Sequence, residues 1–481
     1  MFSDQDIDNF KDKLEDYNKE INENKEKLYE KSNIIKEVIE EGIKCMEYIK
    51  QFIIDKKLVV YGGQAHNLAL IKKDKSKRIY DENEEMKIHD YDVYSPNPVQ
   101  HGVELSNKLY DLGFKDIQIQ DALHPETYTL IIIKKDNIFG NYFEKLVDFT
   151  YAPNIIYNNL PFMEYDNIRF VNPYFTYIDY FRLLADPEGS LFRAEKQLKR
   201  LKLMTDEYPF KENTEKINNE LLNLKKMDNN LYHLIRKYTK NNKSLISVGL
   251  ETYNKYYKLT KDFLTKEQKE YIDTLDIKYF EFISGDYEND VIKFMEFLKQ
   301  NLKNSEIGCS ERYPFFQYRD YSTEIYVDKK LICIIYKNNN ICVPFIEING
   351  HQYGIFYYMI SWFLTESFYN RIYNDDRTLR DRNNRRNIEN EYFKIISNMI
   401  TMKNQYLIKN SLSIFDKSIY QGFTTNCIGL TILASNIRLL EGINNKFRYN
   451  PENRKQEIKW VYRNLSGNYI TNEKNCKIKI D

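Results

Sequence analysis

The fold is decided by the stretch VVYGGQAHN at residues 59–67. A short apolar strand there runs into two glycines and then into a helix. Gly62 and Gly63 let the backbone turn sharply and approach a ligand closely, because glycine has no side chain. A helix that begins near Gln64 would aim its free N–H groups at a phosphate. The same junction is also a common turn, and alone it leaves these two interpretations about equal.

A second strand downstream carries two carboxylates with one residue between them. In IHDYDVY at residues 88–94, Asp90 and Asp92 share one face, because strand side chains repeat every second residue. Two anions on one face repel each other, and a bridging cation removes that repulsion. Mg²⁺ is usually bound by one or two carboxylates plus substrate phosphates, so the pair predicts half of a metal site. The alternative is a solvated strand edge whose charges prevent aggregation.

Asp148 supplies a third carboxylate within KLVDFTY at residues 145–151, which is itself strand-like. An unpaired charge in such an apolar run would be costly, which favours a functional role. Three strand-borne carboxylates after a glycine turn suit two-metal phosphoryl transfer, in which ions roughly 3.5–4 Å apart stabilise the attacking and leaving oxygens.

These motifs resemble the polymerase-β-like nucleotidyltransferase superfamily, whose pattern is a glycine turn, then an acidic pair with one residue between, then a lone acid in an apolar strand. Within it, the words GGQAHN at 62–67, DYDVYS at 90–95 and FTYIDY at 175–180 resemble the catalytic subunit of poxvirus and giant-virus poly(A) polymerases. The motifs cover roughly residues 58–200, and beyond them the resemblance rests on length and texture. The charged insert KKDKSKR at 72–78 departs from the most compact members.

The resemblance implies an α+β fold with a nucleotidyltransferase palm, a helical N-terminal region and a second α/β domain that is a degenerate copy of the palm. We expect a helical region at 1–53, the catalytic domain at 54–190, a helical region at 191–305 and the C-terminal domain at 306–481. Residues 306–481 show no glycine turn followed by D-x-D. Any copy there has therefore lost its chemistry.

The function that the resemblance implies is template-independent addition of adenylates to RNA 3′ ends, an mRNA-processing step that uses ATP and two Mg²⁺ or Mn²⁺ ions. Asp90 and Asp92 would bind both metals, Asp148 would bind the one that activates the 3′-hydroxyl, and Gly62 and Gly63 would cradle the triphosphate. Two alternatives remain open. One is nucleotidyl transfer to a tRNA end, a protein or a small molecule, and the other is an RNA-binding scaffold with a dead palm.

Basic residues outside the palm are the candidates for phosphate contacts. The chain has 71 basic and 71 acidic residues, so RNA must be attracted by local patches and not by net charge. The family places a cationic helix after the palm, which makes Lys196 and then Arg193 candidate triphosphate ligands. Arginines in a loop at 370–386 are candidate RNA contacts, namely Arg377, Arg380 and Arg382. Solvated basic surfaces explain both patches about equally well.

The N-terminal region and the cysteines indicate the setting of the protein. Apolar residues repeat every seven positions from Ile7 to Ile35, and we favour helices lying on the catalytic domain over a self-pairing coiled coil. Six scattered cysteines without a CxxC predict neither a zinc site nor a disulfide framework. With no signal peptide or bilayer-length apolar run, we expect a cytoplasmic protein, in the virion or viral factory if the viral resemblance holds. Its expected partners are the RNA 3′ end, ATP, and either a second copy of the chain or a processivity subunit, with no membrane.

Overall fold

The protein is described here by a computed structural model that divides into two compact units. The N-terminal unit comprises Asp8–Thr176 and Ile432–Asp481, and the C-terminal unit comprises Tyr177–Thr431. The structure describes residues 33–80, 89–122, 126–136, 140–186, 194–220, 222, 225–240, 242–312, 314–316, 318–338, 342–373, 382–422, 424, 426–429, 447–453, 461–463 and 469–471.

The N-terminal unit is built on a mixed sheet with strand order β3-β4-β5-β2-β1-β7-β6. The central strand β1 runs antiparallel to β2 and parallel to β7, and β2 runs parallel to β5. Its elements in chain order are α1 (Asn33–Asp55), β1 (Val59–Tyr61), α2 (Gly62–Lys73), β2 (Tyr91–Ser95), α3 (Pro98–Asp111), β3 (Ile117–Asp121), β4 (Thr127–Asp136), β5 (Gly140–Tyr151), α4 (Asn154–Asn159), β6 (Phe162–Tyr165) and β7 (Ile168–Val171), with α5 (Pro173–Leu184) crossing into the next unit.

Helix α1 lies on this sheet and contacts β4 and β5. Val38, Cys45, Ile49 and Phe52 recur at helical spacing and are buried, so one apolar face of the helix is removed from water. Residues 33–55 therefore pack on the sheet of their own unit, which agrees with the expectation that these helices do not pair with a second chain. The earlier apolar repeats, at residues 1–32, are outside the described residues.

The C-terminal unit carries a second mixed sheet with strand order β10-β11-β12-β9-β8-β14-β13-β15. Its elements are α6 (Ala194–Glu207), α7 (Asn229–Thr239), β8 (Leu245–Val248), α8 (Gly249–Thr260), a 3₁₀ turn (Lys261–Phe263), α9 (Gln268–Tyr271), β9 (Phe280–Ser284), α10 (Tyr287–Asn301), β10 (Ile307–Arg312), β11 (Ser322–Val327), β12 (Lys330–Lys337), β13 (Val343–Ile348), β14 (His351–Gly354), α11 (Phe356–Tyr373), α12 (Arg382–Asn410) and β15 (Cys427–Ile428).

Two features of this unit differ from the sequence-based expectations. The segment 191–305, expected to be helical, contributes β8 and β9 to the centre of the sheet. Both strands are short and fully buried, and apolar runs of four or five residues cannot be told from helix by periodicity. Of the loop expected at 370–386, the first residues belong to α11, which ends at Tyr373, and the last belong to α12, which begins at Arg382. Residues 374–381 lie outside the described residues.

The two sheets have the same connectivity. Strands β1 and β8 are both followed by a helix that begins at a glycine, and each is antiparallel to the next strand. Each also has a parallel neighbour on its other side. The corresponding strands, in chain order, are β1 and β8, β2 and β9, β3 and β10, β4 and β11, β5 and β12, β6 and β13, and β7 and β14.

The end of the chain returns to the N-terminal unit. β16 (Arg448–Tyr449) pairs with β3, and the Tyr449 hydroxyl donates to Asn107 Oδ1 at 2.7 Å. A 3₁₀ turn (Pro451–Asn453) follows, and β17 (Val461–Arg463) and β18 (Tyr469–Thr471) form a separate hairpin. Residues 430–446, which precede β16, lie outside the described residues.

A disulfide joins Cys342 to Cys427, with 5.3 Å between their Cα atoms. It fixes the edge strand β15 to the start of β13, with which β15 pairs. The cysteine spacing gave no indication of this bond, because the partners are 85 residues apart and meet only at the sheet edge. Among the described residues no helix is long and apolar enough to span a membrane.

Candidate active site

Strand register brings the predicted carboxylates together. Tyr61 of β1 is paired with Asp92 of β2, and Asp92 is paired in turn with Asp148 of β5. Asp90 immediately precedes β2. The three acids, which are 58 residues apart in sequence from first to last, therefore share one region at the centre of the sheet, because β2 lies between β1 and β5.

The glycine turn leads directly into this region. α2 begins at Gly62 and not near Gln64, and Gly62 has a φ of +66°, a left-handed conformation that favours glycine. A Cβ at this position would collide with Oδ2 of Asp92. Glycine is therefore required both by the backbone and by the close approach of a site carboxylate. Gln64 Nε2 donates to the carbonyl oxygen of His89 at 3.2 Å, which ties α2 to the segment that carries Asp90.

Lys145 lies among the three carboxylates. Its Nζ is 2.6 Å from Oδ2 of Asp148, 3.0 Å from Oδ2 of Asp90 and 3.8 Å from Oδ1 of Asp92. Burial works to lower the pKa of Lys145, but the three carboxylates outweigh it and raise that pKa. The ammonium is therefore charged and partly balances the negative charge of the site. Sequence reasoning assigned no role to Lys145.

Asp148 is the most buried of the three acids, with 5% of the residue exposed. Burial raises its pKa by disfavouring the charged form, and Lys145 and Thr129 oppose that rise. Its Oδ1 is buried and accepts no hydrogen bond of normal geometry from any described residue. An ionisable oxygen without a partner is costly in a core, and a metal ion is one partner that would remove the cost.

Tyr61 lies next to Asp92 in the sheet. Its hydroxyl is 2.7 Å from Thr150 Oγ1, and its ring stacks on Tyr94 with 4.2 Å between centroids. Burial, and then Asp92, raise the pKa of Tyr61 well above its ordinary value. The residue therefore stays neutral and supports the acids by packing and not by charge.

The donor set fits divalent metal ions, although a complete metal cage is not formed. In the part of the chain that the structure describes, no group of three or more His, Cys, Asp or Glu side chains has the arrangement of a metal site. The carboxylates are grouped around Lys145 instead. Three carboxylates, one with an unpartnered buried oxygen, are nevertheless the hard oxygen ligands that Mg²⁺ and Mn²⁺ prefer.

The other predicted site residues are not placed at these carboxylates by any described contact. Lys196 is exposed on α6, within the C-terminal unit. Arg193, Arg377 and Arg380 lie outside the described residues, and Arg382 is the first residue of α12. Their roles remain predictions.

The C-terminal sheet holds a counterpart of this site that sequence reasoning missed. Gly249 opens α8 with a φ of +64°, and a Cβ there would collide with Oε2 of Glu281. Glu281 is paired with Val248, as Asp92 is with Tyr61. The position equivalent to Asp148 is Ile334, and the residue two before Glu281 is Tyr279. The signal was present at 248–250 and 279–281, but the expected domain began only at residue 306.

Comparisons with known proteins agree along nearly the whole chain. Residues 47–190 match the family model described as "Poly(A) polymerase catalytic subunit". Residues 209–480 match the model described as "APMV, Putative poly(A) polymerase, catalytic subunit, C-terminal".

Individual relatives carry the same description. A protein of Acanthamoeba polyphaga mimivirus named "Putative poly(A) polymerase catalytic subunit" is 30% identical, over 94% of this chain and 81% of its own length. One of African swine fever virus (strain Badajoz 1971 Vero-adapted), with the same name, is 32% identical over 34% of this chain and 33% of its own. The crystal structure of the Megavirus polyadenylate synthase superposes with a TM-score of 0.74 and 26% identity, covering 100% of this chain and 95% of that one.

Fold and comparisons together define a nucleotidyl-transferring enzyme of viral type. The chain belongs to the family of viral poly(A) polymerase catalytic subunits. It is a polynucleotide adenylyltransferase that polyadenylates RNA.

Replacing Gly62 by alanine should disturb the site more than the fold. The new methyl group would strain a left-handed backbone, at a cost of about 1–2 kcal/mol, and would push Asp92 aside. We expect the rate of RNA tailing to fall at least about tenfold, because misplacement by 1 Å can cost about 100-fold. Tailing rates and urea unfolding should be measured together.

The matched control is Gly113→Ala. Gly113 also has a positive φ, +97°, but a Cβ there would have no neighbour within 4 Å. This variant should show the backbone cost alone, with nearly normal tailing. Equal loss of tailing in both variants would mean that strain, and not displacement of Asp92, explains the effect.

Proposed function

We propose that this poly(A) polymerase adds adenylates from ATP to RNA 3′ ends without a template, at a site formed by Asp90, Asp92 and Asp148 with two Mg²⁺ or Mn²⁺ ions. The observation that carries the proposal is the convergence of the three carboxylates on one cation, Lys145 Nζ, within 4 Å. Bound metals would supply Lewis-acid stabilisation of the attacking and leaving oxygens.

Different residues of the chain would bind the metals and the triphosphate. Asp90 and Asp92, from one strand segment, would hold both metals. Asp148, with its unpartnered Oδ1, would complete the site beside the attacking 3′-hydroxyl. Gly62 and Gly63 open α2, so backbone N–H groups at its N-terminus would bind the triphosphate. The 3′-hydroxyl oxygen, after giving up its proton to water, would attack the α-phosphorus of ATP and form the new phosphodiester bond. The bond from the α-phosphorus to the β-phosphate would break, and the β- and γ-phosphates would leave as pyrophosphate.

Cations outside the N-terminal sheet would complete substrate binding. We propose Lys196, with Arg193 beside it in sequence, as ligands of the triphosphate, and Arg377, Arg380 and Arg382 as contacts of the RNA backbone. The support for the first pair is that Lys196 is exposed on α6. The support for the arginines is their density in a chain with no net charge.

We also propose that the N-terminal sheet is a polymerase-β-like palm and that the C-terminal sheet is its degenerate copy. The support is the shared strand order and the matching positions of Gly62 and Gly249 before an acid. With only Glu281 retained among the acidic positions, the copy lacks the ligands for two metals. One catalytic site per chain follows from this.

The copy balances its remaining acid with an arginine. Arg319 is buried and forms an ion pair with Glu366. Burial, and then the charge of Glu366, raise the pKa of Glu281 to about 8, while Arg319 lowers it. Glu281 thus belongs to a buried polar group with Glu366 and Arg319, which supports a structural role for this site.

The setting of the enzyme follows the same reasoning. We propose that it acts in the cytoplasm of the infected cell, in the virion or the viral factory, as its viral relatives suggest. A second copy of the chain or a processivity subunit remains the expected protein partner.

Changing any one of the three aspartates to asparagine should abolish tailing while the fold is kept. Asparagine has the same shape, but it removes a charged metal ligand and with it transition-state stabilisation worth at least about 100-fold in rate. The measurement is extension of a labelled RNA with each nucleoside triphosphate in turn and Mg²⁺, and only ATP should extend it well.

The control is Asp166→Asn, which alters an exposed carboxylate paired with Lys50 in the same unit. It should tail at the wild-type rate. Near-normal tailing by Asp90→Asn, Asp92→Asn or Asp148→Asn would contradict the assignment of that residue.

Neutralising Arg377, Arg380 and Arg382 together should reduce the salt dependence of RNA binding. Three lost phosphate contacts on a single strand lower the slope of log K against log salt by about 2. Fluorescence anisotropy of a labelled RNA at several salt concentrations gives the slope.

The matched control neutralises Lys199, Lys202 and Lys243, which are already paired with Glu195, Asp206 and Glu347. The change in formal charge is the same, but the slope should stay within about half a unit of wild type. Identical slopes for both triple variants would mean that the three arginines belong to a solvated surface and do not contact RNA.

A further inference from the structure

A β-bulge directs Lys145 into the active site. Along most of β4 and β5 the residues pair one to one, but the pairing passes from Leu130 and Val147 to Ile131 and Lys145. Leu146 is the extra residue. In a regular strand without a bulge, Lys145 and Asp148 would point to opposite faces, because three positions separate them and strand side chains alternate.

The partner strand shows which face results. Thr129 opposes Asp148 and Ile131 opposes Lys145, and residues 129 and 131 are two apart on a regular strand. Lys145 therefore lies on the same face as Asp148. Bulges are over-represented beside active sites, where they redirect a side chain, and here the redirected group is a cation among three anions.

The position of the ammonium coincides with the place that a metal would take. Nζ contacts all three proposed ligands, at 2.6, 3.0 and 3.8 Å, and no complete metal cage exists among the described residues. An ammonium and a divalent ion cannot both lie at the centre of the three carboxylates, because both are cations that need the same oxygens.

We propose that Lys145 is a resident counter-ion that holds Asp90, Asp92 and Asp148 together in the metal-free enzyme and is displaced when the metals bind. The proposal rests on the proposed function, because it assumes that these carboxylates are the metal ligands. Lys145 is in this sense a positioning residue. It keeps the three carboxylates close together, and it sets the metal concentration that is needed to fill the site.

This arrangement predicts that metal binds weakly alone and more tightly with nucleotide. Metal alone must replace the ion pairs of Lys145 with its own bonds. Metal that arrives with ATP adds the contacts of the triphosphate and offers the displaced ammonium an anionic partner. Side-chain exposure of 38% leaves Lys145 a path towards solvent.

The first test is the affinity for Mn²⁺ without nucleotide, measured from the signal of free Mn²⁺ in electron paramagnetic resonance. Lys145→Met keeps the stem and removes the charge, and we expect Mn²⁺ to bind at least about tenfold more tightly than to wild type. The melting temperature in EDTA should fall, and the rise on adding Mn²⁺ should exceed that of wild type. If Lys145 had a purely structural role, its replacement would lower the stability of the protein without raising the affinity for Mn²⁺.

The matched control is Lys134→Met. Lys134 lies on β4, beside β5, and its ion pairs among the described residues are with Glu37 and Glu41 of α1, at 3.6 and 3.2 Å. Its variant should therefore bind Mn²⁺ as wild type does. Unchanged or weaker Mn²⁺ binding by Lys145→Met would overturn the proposal while the function stands. Absence of Mn²⁺ binding by every variant and by wild type would overturn the metal site and the proposal together.

A second test uses the wild-type enzyme and does not depend on the folding of a variant. The rate of acetylation of each lysine is followed by mass spectrometry with and without Mn²⁺. If the metal displaces Lys145, its acetylation should become several times faster, whereas that of Lys134 should not change. Slower or equal acetylation of Lys145 with Mn²⁺ bound would contradict the proposal.

Discussion

The structure of the N-terminal unit depends on placing three carboxylates close together on β5 and on β2 with the residue that precedes it. Like charges about 4 Å apart near a protein surface repel by about 4 kcal/mol, so such a group needs a cation. Lys145 provides it, at 2.6–3.8 Å from all three acids. The bulge at Leu146, the left-handed Gly62 beside Asp92 and the burial of Asp148 all serve this one cluster.

The C-terminal unit has the same strand order with a different set of side chains at the equivalent positions. Gly249 and Glu281 keep the turn and one acid, but Ile334 replaces the third acid, and the buried Arg319 supplies the positive charge. The cation is therefore part of a closed core in one sheet and an exchangeable occupant in the other. The physical difference is that the side chain of Lys145 is 38% exposed, whereas that of Arg319 is 5% exposed.

Much of this could be predicted from the sequence. The glycine turn, the D-x-D strand and the lone Asp148 are local patterns, so their strands and their convergence were predictable. The role of Lys145 was not, because a one-residue bulge leaves no local signature and reverses the face of every side chain before it. β8 and β9 were missed because short buried strands lack periodicity. The Cys342–Cys427 bond was missed because only the assembled sheet edge brings its partners together.

We propose above all that bound metals take the place of Lys145 among Asp90, Asp92 and Asp148. Crystals grown with Mn²⁺ and a non-hydrolysable ATP analogue, measured at the manganese absorption edge, test it directly. We predict anomalous peaks about 2.1 Å from oxygens of the three aspartates, with Lys145 Nζ withdrawn from the cluster towards the triphosphate. Lys145 still in contact with all three carboxylates, with manganese bound elsewhere or absent, would contradict the account.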